Sequence, residues 1–133
     1  MNVPVRCQSL YDDVGGEQGV RELVRIFYDI VETDQEAHDL RLLHLRGHGV
    51  AHSRVEQFNF LSGFLGGPQY YVQKYGHARL REMHEHVAIG PSERDLWLAC
   101  MIKAIAQAGL GQAVADKLMR HFTRAAETCR NLD

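Results

Sequence analysis

At 133 residues and 15.1 kDa the chain is long enough to bury one hydrophobic core and too short for two. Hydrophobic residues make up 45% and charged residues 24%, which excludes a disordered chain, a collagen-like one and a disulfide-stapled mini-protein. With 17 acids against 15 bases the net charge is −2, so no basic face for nucleic acid is implied.

No apolar run approaches the roughly 18 residues of a membrane span, and Met1–Leu10 lacks the charged-then-apolar layout of a secretory signal, so a cytoplasmic location and no membrane partner are expected. Cys7, Cys100 and Cys129 are odd in number, widely spaced and form no C-x-x-C pair; reduced thiols follow. There is no internal repeat or linker, which predicts one domain over residues 1–133, with residues 1–9 as a partly flexible extension.

Gly15-Gly16 suits a tight lead-in turn to a first long helix from Glu17 to Val31, whose stripe is Val20, Leu23, Val24, Phe27, Ile30 and Val31. Val55, Phe58, Leu61 and Phe64 predict a second, short helix that Gly66-Gly67-Pro68 stops. After Pro91, Ser92 reads as an N-cap opening a helix with Leu96, Trp97, Cys100, Met101, Ala104, Ile105 and Ala108 on one side, until Gly109 and Gly111. A last helix spans about Gln112 to Arg130, burying Val114, Leu118, Phe122, Ala125 and Cys129. Alternating strand patterns are absent, so the expected fold is all-α. Arg46–Ala51 and Pro68–Gly90 read as loop or short helix.

Those weak segments carry half of the histidines, and of eight in the chain seven lie from His38 to His86. His44, His48 and His52 have the four-residue step of one helical face and would suit zinc, yet Gly47 and Gly49 argue against a continuous helix there. His84 and His86, two apart on a helix, point about 200° from each other. No H-E-x-x-H, Ser/His/Asp or Cys/His signature is present, and the glycine pairs match no phosphate-binding loop. Haem is the alternative, since it asks for one neutral imidazole on iron and a few hydrogen-bond donors across an apolar pocket. Tyr28, Ser53, Gln57 and Trp97 are each a polar tip beside an apolar stripe, although periodicity alone favours ordinary core packing for Tyr28 and Trp97 and a solvated face for Gln57.

The order of pieces is more specific. Leu10-Tyr11-Asp12-Asp13-Val14-Gly15-Gly16, Phe27-Tyr28, Phe60-Leu61-Ser62-Gly63-Phe64-Leu65-Gly66-Gly67-Pro68, Tyr75-Gly76-His77-Ala78-Arg79-Leu80-Arg81, His84, Ile89-Gly90, Glu93-Arg94-Asp95-Leu96-Trp97 and Cys100-Met101 follow one another at near-family spacing. From about Leu10 onward the chain closely resembles the group II truncated haemoglobins. The resemblance implies a single truncated globin domain, a two-over-two helical sandwich around haem b.

Carried over by position, the resemblance makes His84 the proximal iron ligand, Tyr28 the distal tyrosine and Trp97 the characteristic tryptophan. Gln57 and Ser53 fall at distal-helix positions facing bound ligand, and His44 falls where this group carries Tyr, Phe or His. Tyr71 and Arg81 match positions that approach the haem propionates, while Phe27, Phe58, Leu61 and Met101 are implied as apolar lining. The chain departs from the family pattern Arg-x-Arg-His-x-Pro-Phe-Pro-Ile-Gly at Met83, His86, Val87 and Ala88, losing a basic residue and two rigid prolines and making His86 a rival ligand. The stretch His44–Arg54 is slightly longer than usual and bears His48 and His52 as candidate sixth ligands.

The implied function is binding of O2, NO, CO or peroxide with redox chemistry, such as nitric oxide dioxygenation or peroxide reduction, rather than bulk oxygen storage. Whether that amounts to enzymatic turnover, and on which catalytic residue, stays open. A reductase is the implied partner, and the chain would act as a monomer or homodimer. The competing readings are a non-haem metal protein using the histidine cluster and a ligand-free helical interaction module, in which the Trp97, Tyr28 and Phe58 stripes are only core.

Overall fold

A computed structural model describes residues 9–133, so the expectations for Cys7 and for the extension before Ser9 lie outside the described residues. Among the described residues there are helices and turns and no strand. A single turn, α1 (Leu10–Asp13), is capped by the Ser9 hydroxyl, which accepts the Asp12 N–H at 3.2 Å. Gly15, at φ +105°, then turns the chain into α2 (Gly16–Thr33). Gly19 is needed for a second reason: a Cβ there would lie 1.8 Å from the Val14 carbonyl oxygen.

The α2 stripe buries as its period predicts, with Val20, Leu23, Phe27 and Val31 fully enclosed. At its C-terminal end Arg41 donates to the carbonyls of Val31 and Asp34 at 2.8 and 2.9 Å, satisfying acceptors the helix leaves open. A 3-10 turn at Gln35–Ala37 leads into α3 (His38–Arg46). Lys103, from the helix over Pro91–Gln107, ties down this corner through Asp34 and Glu36 at 2.9 and 2.8 Å. The sequence reading did not assign α3 a helix, because only Leu40 of its four leucines is buried and no stripe forms.

The next helix, α4 (Val50–Phe64), starts five residues before the expected Val55. Val55 itself is 55% exposed, and the core face of α4 is instead Phe58, Leu61 and Ser62. Ser62 is fully buried and donates to the Pro68 carbonyl at 2.7 Å, closing the turn after α4. Two short helices follow, α5 (Tyr70–Tyr75) and α6 (Leu80–His84). Ser92 is not a cap: α7 (Pro91–Gln107) opens with Pro91 in its first turn after Gly90, where a missing N–H costs nothing. The last helix, α8 (Gln112–Cys129), ends one residue before the expected Arg130.

α2 packs on α4, α7 packs on α8, and α2 crosses α7, giving two helix pairs laid one over the other. Leu23, Phe27, Leu61, Met101, Leu118 and Phe122 meet in the shared core. Arg54 fastens α4 to α2 by reaching Asp29 at 2.8 Å and Glu32 at 3.0 Å. α5 and α6 bury no residue completely and lie beside this sandwich, leaving a hollow between them and the long helices.

Candidate functional site

That hollow is a cavity of about 710 Å³, within the range of cofactor sites. Its apolar wall includes Phe60, Phe64, Leu80, Met83, Trp97 and Phe122. The α4 side follows from helical spacing, since residues 53, 57, 60 and 64 share one face at steps of four, three and four. One face of α4 is therefore core and the adjacent one cavity, which is why a single apolar stripe read from the sequence misplaced Val55.

His84 ends α6 and lines the cavity. Its Nδ1 lies 2.8 Å from the Leu80 carbonyl oxygen. A carbonyl can only accept, so Nδ1 carries the proton and Nε2 is left with a bare lone pair. Burial lowers the tendency of this imidazole to protonate; the bond to Leu80 opposes that, and His86 and His44 add to it. The result is a neutral, oriented imidazole, the form that ligates a metal, held by the backbone hydrogen bond typical of ligating histidines. Cys129 of α8 stands 3.5 Å from the same Nδ1, and burial pushes its thiol up to about 11, so it is protonated at neutral pH.

Tyr28, only 2% exposed, projects from α2 into the same cavity. Its ring is gripped edge-on by Phe27 at 4.9 Å and His44 at 5.5 Å. Burial raises the phenol well above its ordinary pKa, with Ser53 and Arg54 pulling it partly back, so the hydroxyl stays a neutral donor. His44, on α3, is tied like His84: its Nδ1 lies 2.9 Å from the Leu40 carbonyl oxygen, which leaves Nε2 as an acceptor. Burial likewise lowers its pKa.

Ser53, Gln57, Leu61, Tyr71 and Trp97 all line the cavity, as do His48 and His52. Phe27, Phe58, Met101 and Arg81 are not on its wall. Phe27 is core behind Tyr28 and Trp97, with its ring 5.2 Å from the indole, and Met101 is buried in the core without exposure. Phe58, one residue past Gln57 and so about 100° around the helix, turns under the Arg21 guanidinium at 4.1 Å. Arg81 is exposed, because Leu80 and His84 share the cavity face of α6 and the residue after Leu80 turns outward.

Sequence reasoning missed Glu56, Phe60, Phe64, Phe122 and Cys129, as well as Tyr75 and His77 beside Tyr71, all of which line the cavity. The spacing from Ser53 through Phe64 was the available signal for two of them. Glu56 accepts hydrogen bonds at Oε1 from Lys74 and, at 2.8 Å, from Tyr75, while its buried Oε2 has no partner. Burial raises its pKa, but the bonds from Lys74, Tyr75 and Asn59 outweigh that and hold it below the ordinary value.

His48, in the turn between α3 and α4, sets its ring 4.9 Å from His52 and 4.8 Å from His86, tilted against both. His44, His48 and His52 thus do not share one helical face, and among the described residues no group of three histidine, cysteine or acidic side chains is arranged to hold a metal ion. No described helix is long and apolar enough to cross a membrane. The lining thus holds two oriented neutral imidazoles, His84 and His44, in an aromatic-walled cavity with a buried phenol and a half-buried indole, a donor set that fits a planar iron porphyrin.

Comparison with known proteins agrees. The family model for bacterial-like globins matches residues 9–131. The chain is 32% identical over 117 residues to a group 2 truncated hemoglobin of Bacillus subtilis, a match covering 88% of this chain and 83% of that one. It superposes on a group II 2-on-2 hemoglobin of Agrobacterium tumefaciens with a TM-score of 0.89 at 33% identity, covering 98% of this chain and all 100% of that one. A cold-adapted truncated hemoglobin of the Antarctic bacterium Pseudoalteromonas haloplanktis gives 0.86 at 34% identity, over 93% and 98% of the two chains.

Proposed function

Since the chain belongs to the bacterial-like globin family, among the two-over-two globins of truncated-haemoglobin group II, we propose that it holds one haem b through His84 Nε2. It binds O2, NO, CO or peroxide in the pocket lined by Tyr28 and Trp97, and retains ligand for redox chemistry rather than delivering it. The observation that carries this reading is the 2.8 Å bond from His84 Nδ1 to the Leu80 carbonyl, which presents a neutral imidazole at the wall of a cavity of about 710 Å³. His84 is the residue that would hold the haem, which when bound would supply an iron centre able to take up a diatomic ligand and exchange electrons with it.

The remaining chemistry lies with side chains. Tyr28 and Trp97 present O–H and N–H donors from apolar surroundings, where a hydrogen bond to a partly charged ligand is stronger than in water. Gln57 adds an amide donor from α4. His44 does not donate, because its one proton is committed to the Leu40 carbonyl; its Nε2 is a site for the Tyr28 hydroxyl or an incoming proton. Three donors at about 1 kcal/mol each slow ligand escape by roughly a hundredfold against an apolar pocket. Phe60, Phe64 and Phe122 exclude water, and Tyr71, with Tyr75 and His77 near it, supplies the polar edge on which the haem carboxylates would rest. On this reading residues 1–133 act as one cytoplasmic globin domain, and a reductase returns the iron to its ferrous form.

Titration of the purified chain with haemin, followed by absorption spectra of the ferric, ferrous and CO-bound forms, tests the proposal. One equivalent of haem with an intense Soret band is expected, and His84→Ala should bind it far more weakly. A folded helical chain that develops no Soret band after supplementation sinks the reading.

A further inference from the structure

We propose that the stretch from Cys129 to Leu132 is a latch that positions His84, taking over the stiffening that the two missing prolines would give the segment after it. The inference rests on His84 being the haem ligand. α6 is a weak platform for a ligand: it has five residues, buries none of them completely and has no side-chain cap. The Leu80 carbonyl cannot fix the imidazole relative to the cavity, because Leu80 lies on the same short helix and moves with it. Positions 86–88 are His, Val and Ala, none of which restricts the backbone as proline does.

What holds this segment comes from beyond α8. The Asn131 side chain uses both ends of its amide. Its Oδ1 accepts the Ile89 N–H at 2.8 Å, and its Nδ2 donates to the Val87 carbonyl at 2.8 Å and the His84 carbonyl at 3.3 Å. The backbone N–H groups of Asn131 and Leu132 add bonds to the Ile89 carbonyl at 2.9 and 3.0 Å. Five hydrogen bonds, three from one side chain, thus close on the six residues His84–Ile89. Only an amide can both accept and donate in this way; aspartate would set a negative charge against two carbonyl oxygens.

Two residues earlier, Cys129 Sγ lies 3.5 Å from His84 Nδ1, a second and weaker acceptor for the proton shared with Leu80. The latch is itself braced, since Arg130 donates to the Leu132 carbonyl at 2.7 Å and pairs with Glu127, which also holds Arg94 of α7. The Leu80 carbonyl thus sets the ring within α6, while α8 and the residues after it set how α6 presents that ring to the cavity. Asn131 and Cys129 are positioning residues for iron ligation.

The test uses the haem-loaded chain and its Asn131→Ala, Asn131→Gln, Cys129→Ala, Cys129→Ser and His84→Ala variants. The readouts are the iron–histidine stretching band of the ferrous form, haem transfer to a scavenging apoglobin, and amide hydrogen exchange. Asn131→Ala should broaden the stretching band, speed haem loss by about tenfold to a hundredfold and speed Ile89 amide exchange by about tenfold or more, while core amides of α2 and α7 keep their protection. Asn131→Gln should restore part of this. Cys129→Ser should raise the stretching frequency, since a hydroxyl is a better acceptor than a thiol, and Cys129→Ala should lower it. An unchanged band, haem-loss rate and Ile89 exchange in Asn131→Ala overturns the latch. If His84→Ala keeps the wild-type band and haem, the ligand assignment has failed instead, and Ile89 exchange in Asn131→Ala still judges whether the segment is latched.

Discussion

Replacing Tyr28 by Phe removes one oxygen atom and little else. The ring is held by Phe27 at 4.9 Å and 89° and by His44 at 5.5 Å and 86°, contacts that a phenyl group keeps, so the pocket should not collapse. The Tyr28 hydroxyl, on a residue only 2% exposed, has the Ser53 side chain as its hydrogen-bonding neighbour. In the absence of ligand its removal therefore costs at most that one hydrogen bond, and stability should fall by no more than about 1 kcal/mol. With ligand bound, the lost donor is worth about 1–1.5 kcal/mol, which is roughly a fivefold to tenfold faster off-rate. Stopped-flow displacement of O2 by CO from the haem-loaded proteins measures this directly, with urea denaturation of the haem-free proteins as the companion. An off-rate within twofold of wild type, or a loss of haem-free stability well above about 1 kcal/mol, would refute the argument that this hydroxyl serves chiefly as a donor to ligand.

Three further outcomes follow from the packing and the charges. Ser62→Ala should destabilise the chain by about 1–2 kcal/mol in chemical denaturation, because the bond to the Pro68 carbonyl is lost in a fully buried turn; a change below the error of the fit contradicts that role. Gly19→Ala should be destabilising by about 1–3 kcal/mol even though alanine is the better helix former, since its Cβ meets the Val14 carbonyl at 1.8 Å and the lead-in to α2 must shift; a raised melting temperature would show that the turn yields freely. Glu127 is held down to about 2 from its ordinary 4.5 by Arg130 and Arg94, so its contribution is fully present above pH 4.5 and fades as pH falls toward 2. Glu127→Gln should accordingly flatten the stability profile in that acid window and nowhere else, as followed by helical circular dichroism.

How legible each part was depended on what its residues had to satisfy. α2 and α8 each face the core on one side and water on the other, so their 3.6-residue period was visible and their limits agree within two residues. α4 has to face a core with Phe58 and Leu61 and a cavity with Ser53, Gln57 and Phe60, and a helix with two working faces shows no single stripe. α3, α5 and α6 hide too little apolar surface to be periodic at all. The positions of Tyr28, Trp97, Gln57 and His84 were legible only through the ordered set of family motifs; their convergence on one cavity is a tertiary fact that spacing does not contain. Contacts between residues far apart in sequence, such as Cys129 with His84 and Asn131 with Ile89, had no local signal.

The account stands or falls on which atom of the chain meets the iron. A crystal structure of the haem-reconstituted protein is the most direct measurement. It should show His84 Nε2 on the metal with Nδ1 still bonded to the Leu80 carbonyl, and Tyr28 and Trp97 on the opposite side of the ring. Iron held by His86, or by no histidine of α6, would contradict the account.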